Sequence, residues 1–308
     1  MRALARIRNG TTADWIVSAN TRTWTHLPPT SRGAVSIADA IAAVRRLPRE
    51  WSSAEGFEID PGRLVTPAWR PGKVIGIAAN YTEHATEVGL APSTELRLFA
   101  KFPSSISGPN SAITARSSMT TALDYEAELA VVIGDHIPVG GRRRNPTDAV
   151  FGYAVANDVS ARDIQSVGNQ LTYAKSFDTF LPIGPWITLH TGGFRKLGTR
   201  TIQSRVNGEL RQDARLDQMV RDVPTLIRDI TRAISLEPGD IILTGSPAGS
   251  GIGLTPPRYL QNGDTVTCSI EGLGQITNRV WIHAGTANPN RAAANGDHPF
   301  RTLSTIPK

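Results

Sequence analysis

Short apolar runs alternate with Gly- and Pro-rich breaks along most of this chain. That rhythm predicts a β-rich protein. Val74 to Ala78, Leu129 to Ile133, Val150 to Ala156, Pro185 to Leu189, Ile202 to Val206 and Ile241 to Thr244 each read as a strand. Asn262-Gly263 marks a turn before Asp264 to Ile270, and Gly272-Leu273-Gly274 leads into Gln275 to Ile282. Helical spacing occurs in two places. Leu226, Ile227, Ile230, Ala233 and Ile234 share one face until Pro238-Gly239 closes the helix. Ser36 is placed to cap an earlier helix with an apolar stripe of Ala38, Ile41, Ala42 and Leu47, ended by Pro48.

These elements predict an α+β, β-rich chain built around a β-sandwich or roll. Residues 1–68 read as a small N-terminal α+β domain, with Pro67 to Lys73 as a linker. Residues 69–283 form the larger β-rich unit. Residues 284–308, rich in Ala, Asn, Gly and Pro, read as a C-terminal extension.

Composition narrows the class. The 308 residues are 40% hydrophobic, ample for a sizeable core. The single cysteine, Cys268, excludes an internal disulfide and alternates with Val266 and Ile270 as a core residue would. No apolar run follows the N-terminus and none is long enough to span a bilayer, so a soluble cytoplasmic protein is expected. The net charge is +6. Its one basic run, Arg142-Arg143-Arg144, lies in a Gly/Pro-rich turn without aromatic residues, which reads as a solvated loop and not a nucleic-acid surface.

Candidate chemistry concentrates in Leu123-Asp124-Tyr125-Glu126-Ala127-Glu128-Leu129. Alternation places Tyr125, Ala127 and Leu129 on one face of a strand and Asp124, Glu126 and Glu128 on the other. Like charges at that spacing repel, and a hard divalent cation such as Mg²⁺ relieves the repulsion. An exposed edge strand with acidic residues facing water fits the same pattern. Asp158, at the end of the apolar strand through Val155 and Ala156, adds a third carboxylate.

In Asn80 to Gly89, His84 and Glu87 share a face if the segment is helical. A carboxylate beside an imidazole makes a general base, and the same spacing serves a surface ion pair. Lys175, in Tyr173-Ala174-Lys175-Ser176-Phe177, is a candidate partner for a substrate carboxylate or oxyanion, or a solvated lysine. The glycine-rich Thr244 to Gly251 lacks the lysine of a phosphate-binding loop and reads as backbone closing over a substrate.

In this order, the motifs resemble the fumarylacetoacetate hydrolase family. Asn80-Tyr81 with His84-Ala85, Lys101 to Ser105, Asp124 to Leu129, Asn157 to Asp163, Lys175 to Thr179, Val206 to Glu209, Pro238-Gly239-Asp240 and Thr244-Gly245 carry the likeness from about residue 70 to 283. The resemblance implies a mixed β-sandwich roll, usually a homodimer, with Glu126, Glu128 and Asp158 as ligands of Mg²⁺ or Mn²⁺. His84 and Glu87 become a water-activating dyad, and Lys175 faces the substrate or its oxyanion. Ala79, Tyr81, Arg162, Gln165, Thr179 and Ser246 become the substrate-binding residues. Ala79 stands where many members carry a bulkier residue, and Ser246 where threonine is frequent. The expected reaction is hydrolysis of a C–C bond in a small anionic 2-oxo or 1,3-dicarbonyl acid, such as an acylpyruvate, through a metal-held enolate. Decarboxylation, tautomerisation or dehydration at the same site is the alternative, and a non-catalytic metal- or acid-binding protein the remote one.

Overall fold

The computed structural model describes residues 2–27, 36–48, 56–89, 95–141, 144–168, 170–191 and 197–284. The expected extension beyond 284, and Arg142 and Arg143 of the basic run, lie outside these residues. Arg144 is exposed.

The first four strands, β1 (Ala3–Asn9), β2 (Thr12–Ser18), β3 (Thr25–His26) and β4 (Leu64–Val65), come from the N-terminal part. Then follow β5 (Val74–Ile77), β6 (Leu98–Ala100), β7 (Ile106–Ser107), β8 (Ile113–Arg116) and β9 (Leu123–Asp124). The central strands are β10 (Ala127–Ile133), β11 (Val150–Asn157), β12 (Ser160–Ala161) and β13 (Leu181–Leu189). The last five are β14 (Thr201–Val206), β15 (Glu209–Arg215), β16 (Ile241–Leu243), β17 (Thr265–Ile270) and β18 (Gly274–His283). Among the described residues, helices α1 (Ile37–Arg45), α2 (Thr82–Glu87), α3 (Arg162–Ser166), α4 (Leu171–Lys175) and α5 (Val223–Ile230) interrupt them.

The strands make a mixed β-sandwich. One sheet runs β3-β2-β1-β13-β11-β10-β16-β5-β6, with β4 on β1 and β7 on β13; a second runs β15-β14-β17-β18-β8. Most neighbours are antiparallel, while β16 with β5, β13 with β7 and β18 with β8 are parallel. Strand β10 is buried along its whole length. Leu129, Val131 and Ile133 pack with Val266, Cys268, Ile276 and Val280 between the sheets. Ala130 and Val132 pack on the other side with Ile37 and Ile41 of α1. Strand β1 pairs with β13, matching Ala3 with Thr188 and Leu4 with Ile187, so the N-terminal strands extend the large sheet.

Three local readings change. Helix α5 ends at Ile230, and Ala233, expected on its buried face, is exposed in the turn that follows. The face α1 buries is Ile37, Ala40, Ile41 and Ala43, whereas Ala42 is exposed. The helix begins at its cap, with Ser36 Oγ accepting from Asp39 N, and that phase turns Ala42 to solvent. The stretch expected to be a linker is tied down: Lys73 N donates to Asp240 Oδ1 at 2.8 Å, and the Arg6 guanidinium lies 4.2 Å from the Trp69 ring centre.

Candidate active site

The strand expected through residues 123–134 is broken at Tyr125 and Glu126, and the break builds the site. Ladder bonds are replaced there by side chains. Glu126 N donates to Asn157 Oδ1 at 3.0 Å and Ala127 N to Gln212 Oε1 at 2.9 Å. Glu126 O accepts from Asp158 N at 2.8 Å. This satisfies the backbone without a regular register and brings carboxylate oxygens of Glu126, Glu128 and Asp158 within 4.8 Å of one another. All three residues are buried.

Cations crowd two of the three. Lys175 Nζ donates to Glu126 Oε2 at 2.6 Å, Asp158 Oδ2 at 2.7 Å and Ser160 Oγ at 2.8 Å. Lys101 Nζ donates to Asp158 Oδ1 at 2.5 Å and to Phe180 O at 3.0 Å. The Arg162 guanidinium reaches Asp124 Oδ2 through Nε at 2.8 Å, Gln165 Oε1 through Nη1 at 3.0 Å and Glu126 Oε1 through Nη2 at 2.6 Å. Burial works to raise the pKa of Glu126, but Arg162 and Lys175 outweigh it and hold the acid well below its ordinary value. Glu128 goes the other way: burial first, then Asp158 and Glu126, push its pKa well up. Its carboxylate accepts from Gly245 N at 2.8 Å, and no ion pair joins it to a side chain among the described residues. A buried carboxyl oxygen so placed, with two more carboxylates beside it, is a donor set that suits a hard divalent cation.

Helix α2 carries His84 and Glu87 to the edge of this cluster. A left-handed residue, Ala79 at φ 57°, turns the chain from β5 towards it. His84 is 6% exposed, with Nδ1 3.5 Å from Glu87 Oε2 and Nε2 3.5 Å from Glu126 Oε1. Burial would depress the imidazole pKa, yet Glu126 and Glu87 raise it overall. Both Glu87 oxygens accept from Gly249 N, at 2.9 and 3.0 Å, so the glycine-rich loop closes on the dyad.

The other expected pocket residues divide. Tyr81 is buried close enough to Glu128 for that charge to help raise its pKa, after burial, and its hydroxyl has no hydrogen-bond partner among the described residues. Arg162 and Gln165 stand together at the cluster. Ser246 Oγ accepts from Gln212 Nε2 and donates to Ala127 O, which commits it to the scaffold. Thr179 Oγ1 accepts from Thr114 N of β8 at 2.8 Å, and no hydrogen bond joins it to the carboxylates.

The fumarylacetoacetate (FAA) hydrolase C-terminal family matches residues 73–281. The chain belongs to the fumarylacetoacetate hydrolase family. It is 35% identical to oxaloacetate tautomerase YisK of Bacillus subtilis over 252 residues, 80% of this chain and 82% of that one. It is 41% identical to the mitochondrial oxaloacetate tautomerase FAHD2B of Bos taurus over 222 residues, 70% of this chain and 69% of the relative. Among solved structures, the fumarylacetoacetate hydrolase EaFAH of Exiguobacterium antarcticum superposes with a TM-score of 0.80 at 35% identity, covering 92% of this chain and 100% of that one. The 2-hydroxyhepta-2,4-diene-1,7-dioate isomerase of Mycobacterium marinum gives 0.69 at 29% identity, again over 92% and 100%.

Within this family member, sequence reasoning passed over residues that hold the cluster together. Lys101 stood only as part of a family motif. Asp124 reads as one acid of the strand face, Ser160 only as part of the Asn157 to Asp163 motif, and Gln212 carries no signal. Each acts through a contact far along the chain, such as the 57 positions from Lys101 to Asp158.

Proposed function

We propose that this protein is a divalent-metal-dependent tautomerase or isomerase of a small 2-oxo dicarboxylic acid, interconverting its keto and enol forms. The reading rests on one observation: a buried histidine faces a carboxylate at each ring nitrogen, and one of those carboxylates belongs to the acidic cluster. A divalent cation held by Glu126, Glu128 and Asp158 would supply Lewis acidity towards substrate oxygens. His84 Nε2 takes the proton from the carbon next to the carbonyl and returns it to oxygen. Glu87 orients the ring through Nδ1 and stabilises the imidazolium between the two transfers. Arg162 and Lys175 bring positive charge to the same wall, which suits an anionic substrate. Proton movement between carbon and oxygen consumes no water, in keeping with a base that is 6% exposed. The tautomerase and isomerase relatives support this reading. The likeness to EaFAH supports a second one, in which the same base activates water for C–C hydrolysis.

One experiment separates them. The Mn²⁺-loaded protein is mixed with enol oxaloacetate, and loss of enol absorbance is followed beside product analysis on an acylpyruvate panel. The tautomerase reading expects ketonisation faster than the spontaneous rate, abolished by EDTA and by His84→Asn. No acceleration, with acylpyruvates cleaved to pyruvate and a carboxylic acid, would establish the hydrolase instead. Release of CO₂ faster than Mn²⁺ alone produces it would make it a decarboxylase.

A further inference from the structure

Asp124 lies one strand position short of the acidic triad and outside it. It is completely buried, and its carboxylate accepts four hydrogen bonds. Oδ1 takes Tyr125 N at 2.9 Å and Gly251 N at 2.7 Å; Oδ2 takes Ile252 N at 3.1 Å and Arg162 Nε at 2.8 Å. Two of these donors belong to the loop whose Gly249 clamps Glu87. A third belongs to the arginine whose other arm holds Glu126 at 2.6 Å. The loop is fitted closely to this acid: a Cβ on Gly251 would stand 2.6 Å from Asp124 Oδ1.

The contacts form a closed ring. Asp124 joins Gly251 and Ile252, and Gly249 in the same loop joins Glu87. Glu87 faces His84, His84 faces Glu126, Glu126 joins Arg162, and Arg162 returns to Asp124. The acid–base dyad and the cation ligands therefore share a fixed frame, and Asp124 is the member of the ring bonded both to the loop and to the arginine.

We infer that Asp124 is a positioning residue that couples the Glu87-clamping loop to the Arg162–Glu126 arm of the cation site, so that cation binding and assembly of the dyad reinforce each other. It acts through Arg162 and the loop amides. The inference rests on the reading of Glu126, Glu128 and Asp158 as the cation ligands. Partners that orient metal ligands from behind are worth about 10- to 100-fold in affinity or activity.

The test uses Mn²⁺ alone on the full-length protein. Mn²⁺ affinity is read by electron paramagnetic resonance, and amide hydrogen exchange of residues 246–254 is read with and without the ion. In the wild type, Mn²⁺ should slow exchange in this loop. In Asp124→Asn, Mn²⁺ affinity should fall about 10- to 100-fold, and the loop should no longer respond to saturating ion. An Asp124→Asn protein that is less stable but binds Mn²⁺ as the wild type does, with the loop still protected, overturns the inference and leaves a structural role. If that variant does not fold, the wild type decides: Mn²⁺ binding without slowed exchange in 246–254 overturns the coupling. A wild type that binds no Mn²⁺ overturns the cation reading itself, and the inference with it.

Discussion

Replacing Glu128 with glutamine should make the metal-free protein more stable and the metal-loaded protein less so. Glu128 is the carboxylate whose pKa is pushed up by burial, then by Asp158 and Glu126. Its neighbours' oxygens lie no more than 4.8 Å away. At an effective dielectric near 20, two unit charges at that distance repel by about 3 to 4 kcal/mol. Lys175 offsets part of this, and the hydrogen bond from Gly245 N loses about 1 kcal/mol when its acceptor becomes neutral. A net gain of about 1 to 2 kcal/mol is expected, raising Tm by a few degrees at about 2 to 4 °C per kcal/mol for a chain of this size.

The gain depends on pH. A carboxyl whose folded pKa stands above its unfolded value imposes no penalty below the unfolded value, and its penalty grows as pH rises above it. In EDTA, Glu128→Gln and wild type should therefore melt together in acid and separate as the pH approaches neutral, with the variant more stable. Saturating Mn²⁺ should reverse the order, because ion at 100 times Kd adds about 2.7 kcal/mol to whichever protein binds it. Thermal unfolding across pH, with EDTA and with Mn²⁺, measures all of this. A variant that melts below the wild type in EDTA at neutral pH would refute the repulsion argument.

Three further outcomes follow from the same geometry. Lys101→Met strips Asp158 Oδ1 of its ammonium partner inside the core, and should cost about 3 to 5 kcal/mol in urea unfolding; a loss under 1 kcal/mol would mean that water or another cation replaces it. His84→Asn should lower kcat about 10²- to 10⁴-fold while calorimetry finds Mn²⁺ still bound, weakened by less than the roughly 10-fold expected at minimum of Asp124→Asn, whereas loss of Mn²⁺ binding would place His84 among the cation's ligands. Gly249→Ala sets a Cβ 1.9 Å from Arg211 O at a φ of +99°, which should destabilise the fold by about 2 to 4 kcal/mol. A wild-type urea midpoint for that variant would contradict the packing.

Much of the frame was legible because it depends on local periodicity. Beyond Glu128, strand β10 is apolar on both faces in the sequence and buried on both faces in the fold. The cap at Ser36 announced α1, although the stripe drawn on it was out of phase by a residue. Strand β15 was passed over because Glu209 to Arg215 is polar and its hairpin partner lies behind an Asn207-Gly208 turn, where both residues have positive φ. The acidic cluster itself could be read from alternation, with Asp158 added by its place at a strand end. The break at Tyr125 and Glu126 could not, since it depends on Asn157 and Gln212 supplying acceptors from distant strands.

The charge pattern explains why the acids could be found before their partners. Acidic residues at positions 124, 126 and 128 declare themselves by spacing, whereas Lys101, Arg162 and Lys175 are scattered over 75 positions of ordinary sequence. Folded together, buried Asp124, Glu126, Glu128 and Asp158 face these three buried cations. Asp124 and Glu126 share the arginine, Glu126 and Asp158 share Lys175, and Asp158 also has Lys101. Glu128 has a backbone amide. Four negative charges against three positive ones leave a deficit at a buried oxygen, and folding alone meets it only by protonating the acid or tolerating repulsion. A divalent cation removes the deficit and leaves positive charge over for an anionic substrate. On the proposed reading, the residue that makes the metal-free protein unfavourable is the one that would hold the cation, and for that reason Glu128→Gln should separate stability from activity.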